Sequence, residues 1–430
     1  MKEILAPVLL AVLLAATGTQ SACSKPEPTG KDLATEGDRI FLPIPFRIHM
    51  EPMDRLLLVN FEDDADSLYK GFEPQVFDDT VNGRGQLVIG WRVDGRVDVF
   101  HDPVLSPDPS GFDIAGKGLA NMVARDLSGS GFIVDEFGVQ AHYRFEDIHG
   151  RLVEFTVNER STRERRPFGL LAPMGDAVEN PPAMPLILLH EFYFVRQKDS
   201  DIMIRIDGRQ HATDMLPMPI DRSRMTFIRY CTDPLIAMLN PEMDGAMKVI
   251  ELEGAHSHDS VNGNTTFSYG DTEYLLRFVD GIPVLGGLQR RSGSHVLKLT
   301  YDPPFPNLAH LQEDAKAEGR FMIAGDPSTG SIIGRYTVSG TDGAVMVSMI
   351  PSGGWRPAPD RLSLRFLYRV AGVFRKWPES YRWTAFITRD YSVQDDHAVH
   401  GEQIVQGVTT DHRIHAGKWH MQSYWERTDR

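Results

Sequence analysis

The sequence predicts an all-β protein built as two tandem antiparallel β-barrel or β-sandwich domains with few short helices. Three observations predict it. Alternation at the strand period recurs along the chain, Asp-Gly and Asn-Gly steps punctuate it, and 430 residues exceed what one compact core ordinarily holds. The alternation is clearest over residues 185–209, PLILLHEFYFVRQKDSDIMIRIDGR, which read as two strands joined by a short polar turn. Ile202, Ile204 and Ile206 fall on one face there and Met203, Arg205 and Asp207 on the other, a period of two that a half-buried strand requires. The preceding arm is apolar over residues 186–189 and aromatic over 192–194, so both of its faces are expected to be covered. Taken as a hairpin, the pair is too apolar to stand alone and needs a second layer.

Taken in order, the chain begins with a targeting segment over residues 1–22. Lys2 precedes an apolar run over 4–16, too short for a permanent span but suited to a secretory core. It leads into Gln20-Ser21-Ala22-Cys23, small residues before a cysteine, which resembles the bacterial lipobox. The resemblance implies that Cys23 is lipidated and becomes the new N-terminus. Ser24 after it implies the outer membrane, so the chain is expected on its periplasmic face, held by the N-terminal lipid alone. With Cys23 acylated, Cys231 is the remaining thiol and no internal disulfide forms; in RYCTDP it reads as a small buried side chain. Residues 23–38, rich in Pro, Gly, Lys and Glu, read as a tether, followed by β-domain 1 over 39–220 and β-domain 2 over 221–430. The proline-broken stretch 215–224 is the natural linker between them.

Turn signals follow at Asp94, Asp207, Asp244, Asp280 and Asp342 and at Asn82 and Asn262, each before a glycine and each suited to the positive backbone angles of tight hairpin turns. The strands flanking Asp94-Gly95 form one hairpin, and residues 142–157 form another. Residues 361–370, RLSLRFLYRV, alternate Leu362, Leu364, Phe366, Tyr368 and Val370 against a mostly polar face and read as a strand. Helical pattern is confined to 115–127 and 307–318. Val81-Asn82-Gly83 recurs as Val261-Asn262-Gly263, and the segment from Gly150 recurs from Gly330 with one residue inserted, both at an offset of 180 (261 − 81 and 330 − 150), as an internal duplication would produce; the expected layout of two such units resembles that of paired lipocalin-like proteins.

Composition bounds the function. A net charge of −14 with a pI near 5.5 excludes a nucleic-acid partner, because neutralising phosphates needs a basic face. The mean hydropathy of −0.27 leaves no room for several membrane spans. No Gly-x-Ser-x-Gly elbow and no phosphate loop ending in Gly-Lys-Ser/Thr is present, which removes the usual support for serine hydrolases and nucleotide hydrolases.

The candidate chemistry is sparse. His256 and His258, two apart, would share a side of a strand and could share a metal, but Asn262-Gly263 makes the segment a polar turn, so no metal is expected. His190 and Glu191 face opposite sides of a strand, and the one pointing inward sits in the most apolar strand of the chain. Asp135 with Glu136 is the acidic pair least easily assigned to a turn, since an apolar stretch precedes it. Trp383 shares a face with Tyr381 and Ala385, in a core, a pocket lining or a sugar platform. Arg196 and Arg205 share a face if the two strands around residues 198–200 pair in simple register, and would hold a carboxylate or phosphate if that face looked into a cleft, with His190 beside them. The chain is thus expected to be an envelope lipoprotein that binds an apolar or amphipathic small molecule or lipid, with or without chemistry on it and without a cofactor. The alternative is a carbohydrate-active enzyme of the cell envelope.

Overall fold

The structure is a computed structural model, and it describes residues 35–36, 39–79, 83–173, 180–253, 264–312, 314–341, 344–359, 361–370, 381–389, 398–405, 408–415 and 419–428. Among them are 30 strands and a single α-helix, in four sheets. No described helix is long and apolar enough to cross a membrane.

The first sheet has ten strands: β3 (Ile48–Pro52), β4 (Arg55–Asn60), β5 (Tyr69–Asp79), β6 (Gly83–Arg92), β7 (Val97–His101), β8 (Leu119–Ala124), β12 (Phe168–Pro173), β13 (Met184–Arg196), β16 (Met225–Cys231) and β17 (Pro234–Leu239). Its spatial order is β3-β17-β13-β16-β4-β5-β6-β7-β8, with β12 also on β13, and only β7 and β8 run parallel. The second sheet is an antiparallel meander of β20 (Asn264–Tyr269), β21 (Thr272–Val279), β22 (Ile282–Ser292), β23 (His295–Phe305), β24 (Lys316–Ala324), β25 (Ser331–Thr341), β26 (Ala344–Arg356) and β27 (Tyr381–Arg389). It is extended by β30 (Trp419–Arg427) and β18 (Met243–Ala246). A third sheet joins β9 (Gly131–Val134), β10 (Val139–Glu146), β11 (Leu152–Glu159), β14 (Ser200–Ile206) and β15 (Arg209–Gln210). The fourth joins β1 (Thr35–Glu36), β2 (Arg39–Ile44), β19 (Lys248–Glu253), β28 (Ala398–Val405) and β29 (Val408–His415).

Part of the first sheet is the middle layer of the molecule. Leu87 and Ile89 of β6 enter the core shared with the second sheet, whereas Val88 between them joins Phe72, Phe155 and Ile204 in a separate core against the third sheet. A strand covered on both faces must be apolar at consecutive positions, which explains the runs at 87–89 and 186–189. The main core draws on residues from Leu42 to Trp425 without a break at residue 220. The strands β16 and β17, beyond that residue, lie in the first sheet beside β3, β4 and β13, and β2 pairs with β19 in the fourth.

Several local expectations change. The strands of residues 185–209 form, with Ile204 and Ile206 buried as their alternation requires, yet they are not partners. β13 pairs with β12, β16 and β17, and β14 pairs with β11 and β15, so the chain leaves one sheet for another at the turn, where Asp199 has a φ of 65°. Residues 361–370 are not a strand: the α-helix α1 spans Leu362–Val370. Its apolar residues are spaced ambiguously, and the helix is fixed by packing. Leu364 is buried and Tyr368, one turn on, meets Trp355 edge to face at 4.7 Å, leaving Leu362 and Phe366 exposed.

The two stretches expected to be helical are not. Gly116 and Gly118 adopt positive φ ahead of β8, and Asn307 caps a short 3-10 turn before β24 by accepting from the Ala309 amide. Of the turn signals, Asp207-Gly208 and Asp280-Gly281 have positive φ at both residues, as a tight hairpin turn requires, whereas Asp244-Gly245 lies inside β18. Asn82, Asn262 and Asp342 lie outside the described residues.

Candidate functional site

Polar groups gather against apolar walls at more than one place among the described residues. One is a cleft of about 680 Å³ between the first and second sheets. Its floor is apolar, from Phe77 of β5, Leu87 and Ile89 of β6, Ile236 of β17 and Leu288 of β22. Inward positions at the strand period supply these side chains, so the same alternation that builds the core builds the wall.

The rim carries Arg47, Lys248 and Arg290. Arg290 is already neutralised, with its Nη2 2.6 Å from Asp271 Oδ2 and its Nη1 donating to the Ile48 carbonyl. Among the described residues neither Arg47 nor Lys248 forms an ion pair, although Asp271 acts on the Lys248 charge from a distance: Arg47 reaches the Met243 sulfur at 3.2 Å, and the Lys248 ammonium lies 4.9 Å over the Tyr269 ring. Lys248 keeps part of its length in solvent, while desolvation of its ammonium in the cleft and the Arg47 and Arg290 charges hold its pKa below the usual lysine range. Arg47 is held in place by its backbone, since its amide donates to Asn240 Oδ1 at 3.0 Å and its carbonyl accepts from the Asn240 amide at 2.8 Å. Behind the wall residue Gln75 lies Glu73, 2% exposed, accepting from Gln75 Nε2 and Trp91 Nε1 at 2.9 Å each. Burial raises the pKa of its carboxyl.

Another such place is a cluster of histidines and aspartates between the same two sheets. His190 of β13 and His295, the first residue of β23, stack with ring centroids 4.2 Å apart and planes 19° apart. Asp326, in the turn between β24 and β25, places Oδ2 3.4 Å from His190 Nδ1 and 3.9 Å from His295 Nδ1. Asp233, in the turn between β16 and β17, sits 2.7 Å from His295 Nε2. Burial and the neighbouring His295 lower the His190 pKa. The Asp326 turn is fixed from within and from outside. The Asp326 carbonyl accepts from the Thr329 amide and hydroxyl, Trp355 Nε1 donates to the Thr329 carbonyl, and the turn lies so close to β12 that a side chain at Gly169 would collide with the Ser328 backbone.

The residues singled out in the sequence are scattered by the fold. His190 does point inward and Glu191 outward. Asp135 is a turn residue: its Oδ1 accepts from the Phe137 and Gly138 amides, which with Gln140 hold its carboxyl below the usual range, and Glu136 beside it is exposed. Arg196 does not share an outer face with Arg205. Its guanidinium is buried and donates to Ser161 Oγ and to the Arg163 and Glu164 carbonyls, while Arg205 lies opposite Glu154 on the third sheet. The correction follows from β13 and β14 lying in different sheets. Trp383 is fully buried, 5.7 Å from Phe46, and forms no platform. Cys231 is buried, which pushes its thiol up to about 12 and leaves no thiolate for catalysis. His256, His258 and Cys23 lie outside the described residues.

Sequence reasoning missed Arg47, Lys248, His295, Asp233 and Asp326, which share no local spacing. The nearest signal is that Asp233 and Asp326 each precede a proline just past a strand end. Fold and sites together define an all-β protein with an interior cleft and a histidine–aspartate cluster between its two large sheets. Compared with family models, with curated proteins and with solved structures, the chain has no significant match.

Proposed function

We propose that the chain is an envelope lipoprotein, anchored through Cys23, whose cleft binds an amphipathic small molecule or lipid bearing an anionic head. The observation that carries this reading is the pairing of an apolar floor with two rim cations, Arg47 and Lys248, that form no ion pair among the described residues. The Arg47 and Arg290 charges disfavour the charged form of Lys248 against the opposing pull of Asp271, and a bound carboxylate or phosphate relieves that repulsion. A volume of about 680 Å³ suits a ligand of this size.

The test is fluorescence titration of the purified chain with cis-parinaric acid and with its methyl ester, which differ in the charge of the head. The acid is expected to bind saturably and more tightly than the ester, and Lys248→Gln and Arg47→Gln are each expected to weaken the acid about tenfold while leaving the ester unchanged. Equal binding of acid and ester, or no saturable binding of either, overturns the reading.

A further inference from the structure

We propose that His190, His295 and Asp326 bind one zinc ion at the junction of the two large sheets, with Asp233 orienting His295 from behind. This site is separate from the cleft and does not depend on how the cleft is used. Two imidazoles and a carboxylate are a donor set that zinc takes with three protein ligands, leaving a fourth position for water. The three donor atoms already lie within 4.8 Å of one another. The Asp326 pairs, at 3.4 Å to His190 and 3.9 Å to His295, are close to the roughly 3.3 Å that tetrahedral bonds of about 2.0 Å impose between ligands.

The surrounding bonds fit the same assignment. A metal-bound imidazole ordinarily gives its other ring nitrogen to a carboxylate, which fixes the tautomer and the ring. The Asp233 carboxylate at 2.7 Å from His295 Nε2 does this and leaves His295 Nδ1 free to face Asp326. Because the rings are stacked, one must turn about its Cβ–Cγ bond to aim a lone pair at the ion. His190 is the one free to do so, since its Nε2 is buried and has no hydrogen-bond partner among the described residues. Asp326 needs no movement, being held in a turn fastened through Thr329 and Trp355. Two imidazole nitrogens favour zinc over magnesium or calcium, which take oxygen ligands. The ion would tie β13 of the first sheet to β23 and the β24–β25 turn of the second.

The experiment is calorimetric titration of the chelator-treated, dialysed chain with zinc chloride, with thermal melts in parallel. One ion per chain and a raised melting temperature are expected, with binding lost in His190→Gln and in His295→Gln. Asp233→Asn is expected to bind 10- to 100-fold more weakly while keeping the stoichiometry. Asp326→Asn covers the case in which a histidine variant fails to fold, because the Asp326 carbonyl and not its carboxylate holds the turn. This variant is expected to melt normally without zinc and to lose the ion. Absence of saturable binding by the unmodified chain overturns the proposal, as does undiminished binding by Asp326→Asn or by a folded double histidine variant, which would place the ion elsewhere.

Discussion

His190 and His295 stack at 4.2 Å although they belong to different sheets, and this contact is one of the points where the first and second sheets meet. Burial of His190 and the His295 ring beside it disfavour a proton on His190. The direction of the resulting pH dependence follows from linkage. The His190 pKa is lowered in the folded chain, so between that value and the unfolded value near 6.5 the unfolded chain binds more protons. Stability is therefore unaffected above the unfolded pKa, falls as pH drops through it, and carries the full penalty below the folded pKa. With a chelator present, the melting temperature is expected to fall as pH drops through about 6.5 and below, and to fall less in His190→Gln. Equal falls in the two proteins would show that His190 is not the group responsible.

The two arginines once paired by the sequence are expected to behave oppositely. Arg196 is buried and its Nη atoms satisfy Ser161 Oγ and the Arg163 and Glu164 carbonyls, so Arg196→Ala leaves polar atoms without partners and should cost about 2 kcal/mol or more. Arg205 is half exposed on an outer face, and Arg205→Ala should stay within about 0.5 kcal/mol of the parent. Chemical denaturation of both variants checks this. An Arg196→Ala chain as stable as Arg205→Ala would mean that the buried bonds contribute little.

What the sequence made legible is what is local. The period of two at Ile202, Ile204 and Ile206 places those residues correctly because side-chain alternation is a property of the strand alone. Which strand pairs with which is a property of the whole fold, and the short polar link at residues 197–199 carries the same signal whether it closes a hairpin or crosses between sheets. At residues 362–370 the apolar spacing satisfied a strand and, at Leu364 and Tyr368, a helix as well, and contact with Trp355 decided between them. The inward direction of His190 could be read, but its partners arrive from β23 and from two turns, at separations that no motif encodes. The rim of the cleft is assembled in the same way, from Arg47 ahead of β3 and Lys248 at the start of β19.

Trp383 and Trp425 face each other across β27 and β30, both fully buried, and differ in one bond. Trp425 Nε1 donates to the Asn240 carbonyl at 2.9 Å, whereas Trp383 Nε1 has no partner among the described residues. Replacing either with phenylalanine removes a similar volume from the same core, so the packing losses nearly cancel in the comparison. What remains is polar. Trp425→Phe strands a buried carbonyl, at a cost of about 1–3 kcal/mol, while Trp383→Phe removes a buried donor that gains nothing where it is. Trp425→Phe is therefore expected to be the less stable variant in chemical denaturation by about that margin. Asn240 also exchanges backbone and side-chain bonds with Arg47 at the mouth of the cleft, so loosening it should carry to the ligand site. Parinaric acid is expected to bind Trp425→Phe more weakly and Trp383→Phe as it binds the parent. Two variants of equal stability and equal affinity would show that the Trp425–Asn240 bond supports neither the core nor the position of Arg47.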